Sequence, residues 1–267
     1  MIYWFLLLAG VLATSIIIRQ YPASATRRLP VLMYHKVSAN GPADGLTISS
    51  FMLERQFHYL KQQGYNAILL SQLNAFVQRQ QPLPDKAVLI TFDDGYRDNL
   101  ANMYPLLKQY GLTANIFLIA ASVNVQSTKA RQPEEGYLNA AELAWMDPAY
   151  VEFGLHSYDH KNYNELNVEQ LAEDIRQSKH TLGLLGVAFQ PCLAFPYGAY
   201  PKKDRQHQAQ FFKILAENGI QLAFRIGNRL NPLPVKNPLL LQRLDIKGNM
   251  PFEKFTKLLK NGKVLFS

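Results

Sequence analysis

From residue 30 onward, short apolar runs rich in β-branched and aromatic residues alternate with stretches whose apolar positions recur every three or four residues. The first kind predicts strands and the second amphipathic helices. Strands are expected at 30–34, 67–70, 87–92, 113–119, 151–155, 192–195, 220–225 and 239–246. Helices are expected from the N-cap Ser49 to about Gly64, and over 71–80, 98–110, 139–146, 204–218 and 251–260. The clearest helix covers 167–185, where Val168, Leu171, Ile175, Leu182 and Leu185 recur at helical spacing. Residues 120–136 form a polar connector, long enough to be a surface excursion near a site. Strand–helix alternation of this kind argues for a parallel sheet with helices outside it. Seven or eight such units in about 240 residues suit a (β/α) barrel. A doubly wound open sheet is the alternative. The first strand–helix pairs lack a Gly-x-Gly-x-x-Gly loop, so a dinucleotide fold loses support.

The start of the chain is different. Residues 2–18 carry no charge and, at 1.5 Å rise per residue, just reach the short end of a membrane span. An uncleaved anchor and a signal peptide cut near Ala23-Ser24-Ala25 both fit. The expected division is therefore 1–25 as anchor or signal peptide and 26–267 as a single barrel. No positive residue precedes the apolar run, whereas Arg19, Arg27 and Arg28 follow it. The positive-inside tendency would then keep the body in the cytoplasm. The chemistry below favours the opposite location, membrane-anchored or exported, facing the periplasm or cell exterior.

Composition removes several classes. At 48% hydrophobic and 18% charged residues, the chain can build a sizeable core and is not intrinsically disordered. The single Cys192 excludes an internal disulfide framework and a multi-cysteine zinc site. The net charge of +8 fits an anionic membrane surface, an acidic polymer, nucleic acid or simply a basic soluble surface. The basic residues Lys202, Lys203 and Arg205 lack interleaved aromatics, so no nucleic-acid partner is expected.

In a parallel barrel, reactive groups gather at the C-terminal ends of strands. Four expected strand ends carry such groups: Tyr34-His35, Thr91-Phe92-Asp93-Asp94-Gly95, His156-Ser157-Tyr158-Asp159-His160 and Phe195-Pro196-Tyr197-Gly198. Each alone has a bland reading, the paired aspartates as a polar turn and the histidines as ordinary loop residues. Together, two neutral imidazoles and one carboxylate make a three-ligand metal site with an open position for water. The second carboxylate is then free to take a proton from that water.

The stretch Thr91–Gly95 followed by His156–His160, with Pro196-Tyr197-Gly198 as a third motif, resembles the polysaccharide deacetylases of carbohydrate esterase family 4, the NodB-homology domain. Met33-Tyr34-His35-Lys36-Val37 looks like the branch that includes biofilm poly-N-acetylglucosamine deacetylases. The resemblance runs from about Val31 to the C-terminus, with its core over about 86–267, and is strongest from Lys86 to Tyr200. It implies a distorted (β/α)7 barrel that removes acetyl groups from a polysaccharide, with N-acetylglucosamine polymers favoured. It further implies Asp93 as base and Asp94, His156 and His160 as ligands of a divalent metal, with zinc favoured. Pro196 and Tyr197 would meet substrate, the Tyr197 N–H helping to hold the oxyanion.

Two departures stand out. Many members place an arginine in the third motif to hold the base carboxylate, and here Ala194 stands in its place. Arg243, at the end of a late strand, is a candidate for that role or for substrate contact, or it is a surface arginine. Many members also use a late histidine as general acid, and none follows His207. His35 is the candidate substitute, with a buried, bracing histidine as the other reading. These gaps keep open an alternative: a catalytically weak glycan-binding or assembly protein on a deacetylase scaffold.

Overall fold

The computed structural model describes residues 27–123 and 135–263. The expected N-terminal hydrophobic helix and the middle of the 120–136 connector lie outside them. Among the described residues, no helix is long and apolar enough to cross a membrane.

The strands, in chain order, are β1 (Arg28–Leu29), β2 (Val31–Tyr34), β3 (Lys36–Ser38), β4 (Thr47–Ser49), β5 (Asn66–Ile68), β6 (Ala87–Asp94), β7 (Ala114–Leu118), β8 (Val151–Leu155), β9 (Cys192–Ala194), β10 (Leu222–Ile226), β11 (Asn231–Pro232) and β12 (Leu241–Asp245). The helices are α1 (Ser50–Gln62), α2 (Leu70–Val77), α3 (Tyr104–Tyr110), α4 (Ala140–Trp145), α5 (Val168–Leu184), α6 (Arg205–Glu217) and α7 (Phe252–Asn261). Strands β2, β12, β10, β9, β8, β7 and β6 form a parallel ring, closed because β2 also pairs with β6. This is the (β/α)7 barrel, and it excludes the open sheet. The eighth strand, β5, pairs only with the first half of β6, which overlaps at Leu89 the stretch that pairs with β2.

The period of two along each strand sorts the core into two layers. One set of residues, including Val88, Ile90, Phe92, Ile116 and Leu193, packs outward against the helices. The alternate set fills the barrel: Val31, Leu89, Phe117, Ala194, Phe224 and Leu241. Phe117 and Phe224 meet with ring centroids 5.3 Å apart.

Two local features depart from the sequence reading. The helix expected over 98–110 opens as a π-helix, Asn99–Met103, before α3. Pro105 explains the change. It has no N–H to give the carbonyl four residues back, and its ring crowds that carbonyl, so the turn ahead of it widens. The strand expected at 87–92 continues through Asp94, and Asp93 and Asp94 stand in register with Phe117 and Leu118. Both carboxylates are therefore fixed by the sheet rather than carried on a turn.

Gly154 on β8 is where the barrel leaves no room. A Cβ there would lie 2.7 Å from two ring carbons of Phe117 and 3.1 Å from the Cys192 carbonyl oxygen. Gly154→Ala should cost about 1–3 kcal/mol of stability by overpacking. Urea unfolding would read this as a lower midpoint with an unchanged slope.

Candidate active site

The same alternation that buries Leu89 and Phe117 aims Asp93, His156 and Arg243 into the upper barrel, where they are 2%, 2% and 0% exposed. Asp94 follows with a φ of 73°. An L-residue in the left-handed region carries a cost of about 1–2 kcal/mol. That conformation lets both neighbouring carboxylates face one site.

Asp94, His156 and His160 each offer a ligand atom, and these atoms lie within 4.8 Å of one another. The Asp94 Oδ1 is 3.4 Å from Nε2 of both histidines. His156 Nδ1 lies 2.8 Å from the Ala194 carbonyl oxygen. A carbonyl can only accept, so Nδ1 carries the proton and Nε2 of the neutral ring presents a lone pair. Burial lowers the pKa of His156, while Asp93 and Asp94 oppose that shift. His160 Nδ1 lies 3.1 Å from the Tyr197 hydroxyl, which can accept a hydrogen bond from an Nδ1–H and leave the Nε2 lone pair free in the same way. Asp94 Oδ1 is itself buried with no hydrogen-bond partner. With both rings in that tautomer, lone pairs and a carboxylate oxygen converge with no proton between them. That donor set, two imidazoles and a carboxylate, fits a divalent cation.

Beside this group, Asp93 is held by Arg243. The two terminal guanidinium nitrogens donate to Asp93 Oδ1 and Oδ2 at 2.6 and 2.8 Å. Burial would raise the Asp93 carboxyl, but the charge and hydrogen bonds of Arg243, with the nearby imidazoles, outweigh it and hold it at about 2. Asp93 Oδ2 faces Nε2 of His156 at 3.8 Å and of His35 at 4.0 Å. Burial lowers the pKa of His35 as well, against the pull of Asp93 and Asp94. The backbone of His35 is pinned by Asn99, whose amide donates to its carbonyl at 2.9 Å.

The candidate residues thus fall in one place, with Tyr197 at the rim, 66% exposed, and Pro196 buried beside it. Arg243, a candidate for substrate contact, is instead fully buried with its guanidinium given to Asp93. It stands where the missing third-motif arginine was expected to act. Backbone strain concentrates here too: besides Asp94, Ser157, His160 and Tyr197 have φ of 69°, 65° and 58°. Residues held this way persist only where the surroundings fix them. The sequence reading missed Tyr96. Burial and Asp94 raise the pKa of its phenol, and its ring stacks on Tyr137 at 5.2 Å. Its position two residues past Asp94 was the available signal.

The polysaccharide deacetylase family profile matches residues 80–212. The protein YxkH of Bacillus subtilis, which carries a polysaccharide deacetylase name, is 28% identical over 173 residues, 65% of this chain and 58% of that protein. The poly-beta-1,6-N-acetyl-D-glucosamine N-deacetylase of Staphylococcus aureus strain MRSA252 is 25% identical over 57% of this chain and 54% of that protein. The chain thus spans less than two thirds of the length of either relative. Among solved structures, the Streptococcus pyogenes deacetylase PplD in complex with acetate covers 88% of this chain and 99% of its own, with a TM-score of 0.72 at 20% identity. That likeness is one of fold. With the motifs and the profile in agreement, residues 80–212 are a polysaccharide deacetylase domain of the NodB-homology or carbohydrate esterase family 4 group.

Arg243→Leu should be strongly destabilising, by about 3–5 kcal/mol, because it leaves the Asp93 charge buried and unpaired. The double variant Arg243→Leu with Asp93→Asn should recover much of that loss. Denaturant unfolding of all four members of the cycle checks it; equal losses added together would show that the two side chains are not coupled.

Proposed function

We propose that this protein is a metal-dependent hydrolase that removes acetyl groups from a polysaccharide containing N-acetylglucosamine. The observation that carries the reading is the convergence of Asp94, His156 and His160 beside an Arg243-held Asp93 at the barrel mouth. The name of the Staphylococcus aureus relative supports the substrate class. Asp94, His156 and His160 would hold the cation. When bound there, a divalent ion such as zinc supplies Lewis acidity toward an acetyl carbonyl and toward water.

The chain's own residues do the rest. Asp93, ionised at neutral pH and fixed by two hydrogen bonds, takes the proton of the attacking water through Oδ2. Water oxygen bonds to the acetyl carbon while the carbonyl oxygen gains charge. The Tyr197 N–H, on the strained turn after β9, helps hold that charge. As the C–N bond breaks, the leaving nitrogen takes a proton, and acetate and a free amine depart. His35, 16% exposed at the side chain and facing Asp93 Oδ2 just past β2, is neutral at rest because burial lowers its pKa, and is placed to pass on to that nitrogen the proton Asp93 took from water. The binding-protein alternative drew support from the missing third-motif arginine; Arg243 answers it with a bidentate grip on the same carboxylate. For location, the apolar run at 2–18 supports attachment to or export across a membrane, with acetylated glycan as the partner.

Acetate release from poly-N-acetylglucosamine, chitin oligomers and peptidoglycan, with and without chelator, tests the activity. Release that survives complete metal removal would sink the metal-dependent reading. Asp93→Asn should keep the metal and lose about 10²–10⁴-fold in rate; loss of metal together with activity would make Asp93 a ligand instead. His35→Ala should slow the chemical step at unchanged metal content and remove the acidic limb of the pH–rate profile that protonation of His35 sets, which lies below the ordinary imidazole range because burial lowers its pKa. An unchanged profile with only a lower melting temperature would make His35 a packing residue.

A further inference from the structure

The turn that follows β8 carries His160 in a left-handed conformation, with Ser157 strained in the same sense. Such a turn has no reason of its own to present an imidazole to Asp94. Beneath it, on α5, lies Asp174, 4% exposed. Its Oδ2 accepts from the Tyr158 N–H at 3.1 Å, and its Oδ1 accepts from the Tyr163 hydroxyl at 2.7 Å. Tyr163 is fully buried. One carboxylate therefore grips the turn on both sides of His160, two residues before it and three residues after.

No cation among the described residues pairs with Asp174. A buried carboxylate without one costs several kcal/mol, and an apolar residue would serve helix packing better at this position. Asp174 falls on the same face as Leu171, Ile175, Ser178 and Leu182, all buried. Two directed hydrogen bonds are what this carboxylate offers that a leucine does not. The turn is further tied to the end of β7, where the Ala120 and Ala121 N–H groups donate to the carbonyls of Ser157 and Tyr158 at 3.2 and 2.8 Å. The Tyr197 hydroxyl then fixes the imidazole ring itself.

We propose that Asp174 is a positioning residue, a buried carboxylate that clamps the 157–163 turn and thereby holds His160 where it can bind a metal with Asp94 and His156. The inference rests on the metal-site reading above. Groups one step removed from a metal typically change its affinity by about 10–100-fold when lost.

The test measures zinc affinity by competition with a chromophoric chelator, and the visible spectrum of the cobalt-loaded protein, on the full chain. Asp174→Ala should weaken zinc binding about 10–100-fold and shift the cobalt spectrum. Asp174→Asn should stay within about threefold of the parent, since its amide oxygen still accepts from Tyr158 and its amine can donate to Tyr163. Leu182→Ala, a cavity on the same helix, should lower the melting temperature and leave affinity and spectrum alone. If Asp174→Ala does not fold, Tyr163→Phe carries the test, with a smaller loss of affinity expected. A parent that binds zinc, with an Asp174→Ala or Tyr163→Phe variant that binds it equally well, overturns the positioning role alone. An affinity loss shared equally by Leu182→Ala also overturns it, as general loosening. A parent that binds neither metal overturns the site reading, and this inference with it.

Discussion

The guanidinium of Arg243 lies inside the barrel with no exposed surface and reaches Asp93, 150 residues earlier in the chain, through two short hydrogen bonds. Taking both charges out of water costs several kcal/mol for each ion, and only a near-ideal geometry offsets that. The barrel supplies it. Phe117 lies under the guanidinium, 5.6 Å from ring centroid to Cζ, and is wedged in turn against Phe224 and the bare backbone of Gly154. The aromatic layer sets the height of the arginine. The arginine sets the height and charge of Asp93. The imidazoles of His156 and His35 then face Asp93 Oδ2 at 3.8 and 4.0 Å.

Above that floor, the arrangement is strained and locally tied. Asp94, Ser157, His160 and Tyr197 occupy backbone conformations that L-residues avoid, and none of them is glycine. Each is held by contacts from another element: Asp94 by the β6–β7 ladder, Ser157 by Ala120, and His160 and Tyr197 by each other. A site assembled this way is prearranged before any ligand arrives, which is where catalytic power of the electrostatic kind comes from.

Much of this was legible in the sequence because the barrel obeys two short periods. The alternation of strands and helices carried the fold class, and the strand-end filter brought Asp93, Asp94, His156 and His160 to one face. What the sequence did not disclose were choices made by tertiary geometry. The sequence left Arg243 open as a brace for the base carboxylate, a substrate contact or a surface arginine, and only closure of the ring through β2 brings β12 close enough to β6 for it to reach Asp93. The short pairings β1–β11 and β3–β4 carry no periodic signal in two or three residues. Asp174 is a different case. Its place three residues after Leu171 and four before Ser178 puts a charge on the buried face, a local conflict that marks a functional demand.

The His156 imidazole also has a mechanical side. Strands β8 and β9 share a single register pair, Leu155 with Leu193, so the barrel wall is thinly stitched there. One residue further up, the ring of His156 bonds to the carbonyl of Ala194 and acts as an extra rung between the two strands. The same ring therefore belongs to the wall and to the proposed ligand set. Filling the site would brace the sheet from inside, and emptying it would leave this seam the easiest place for the cylinder to part.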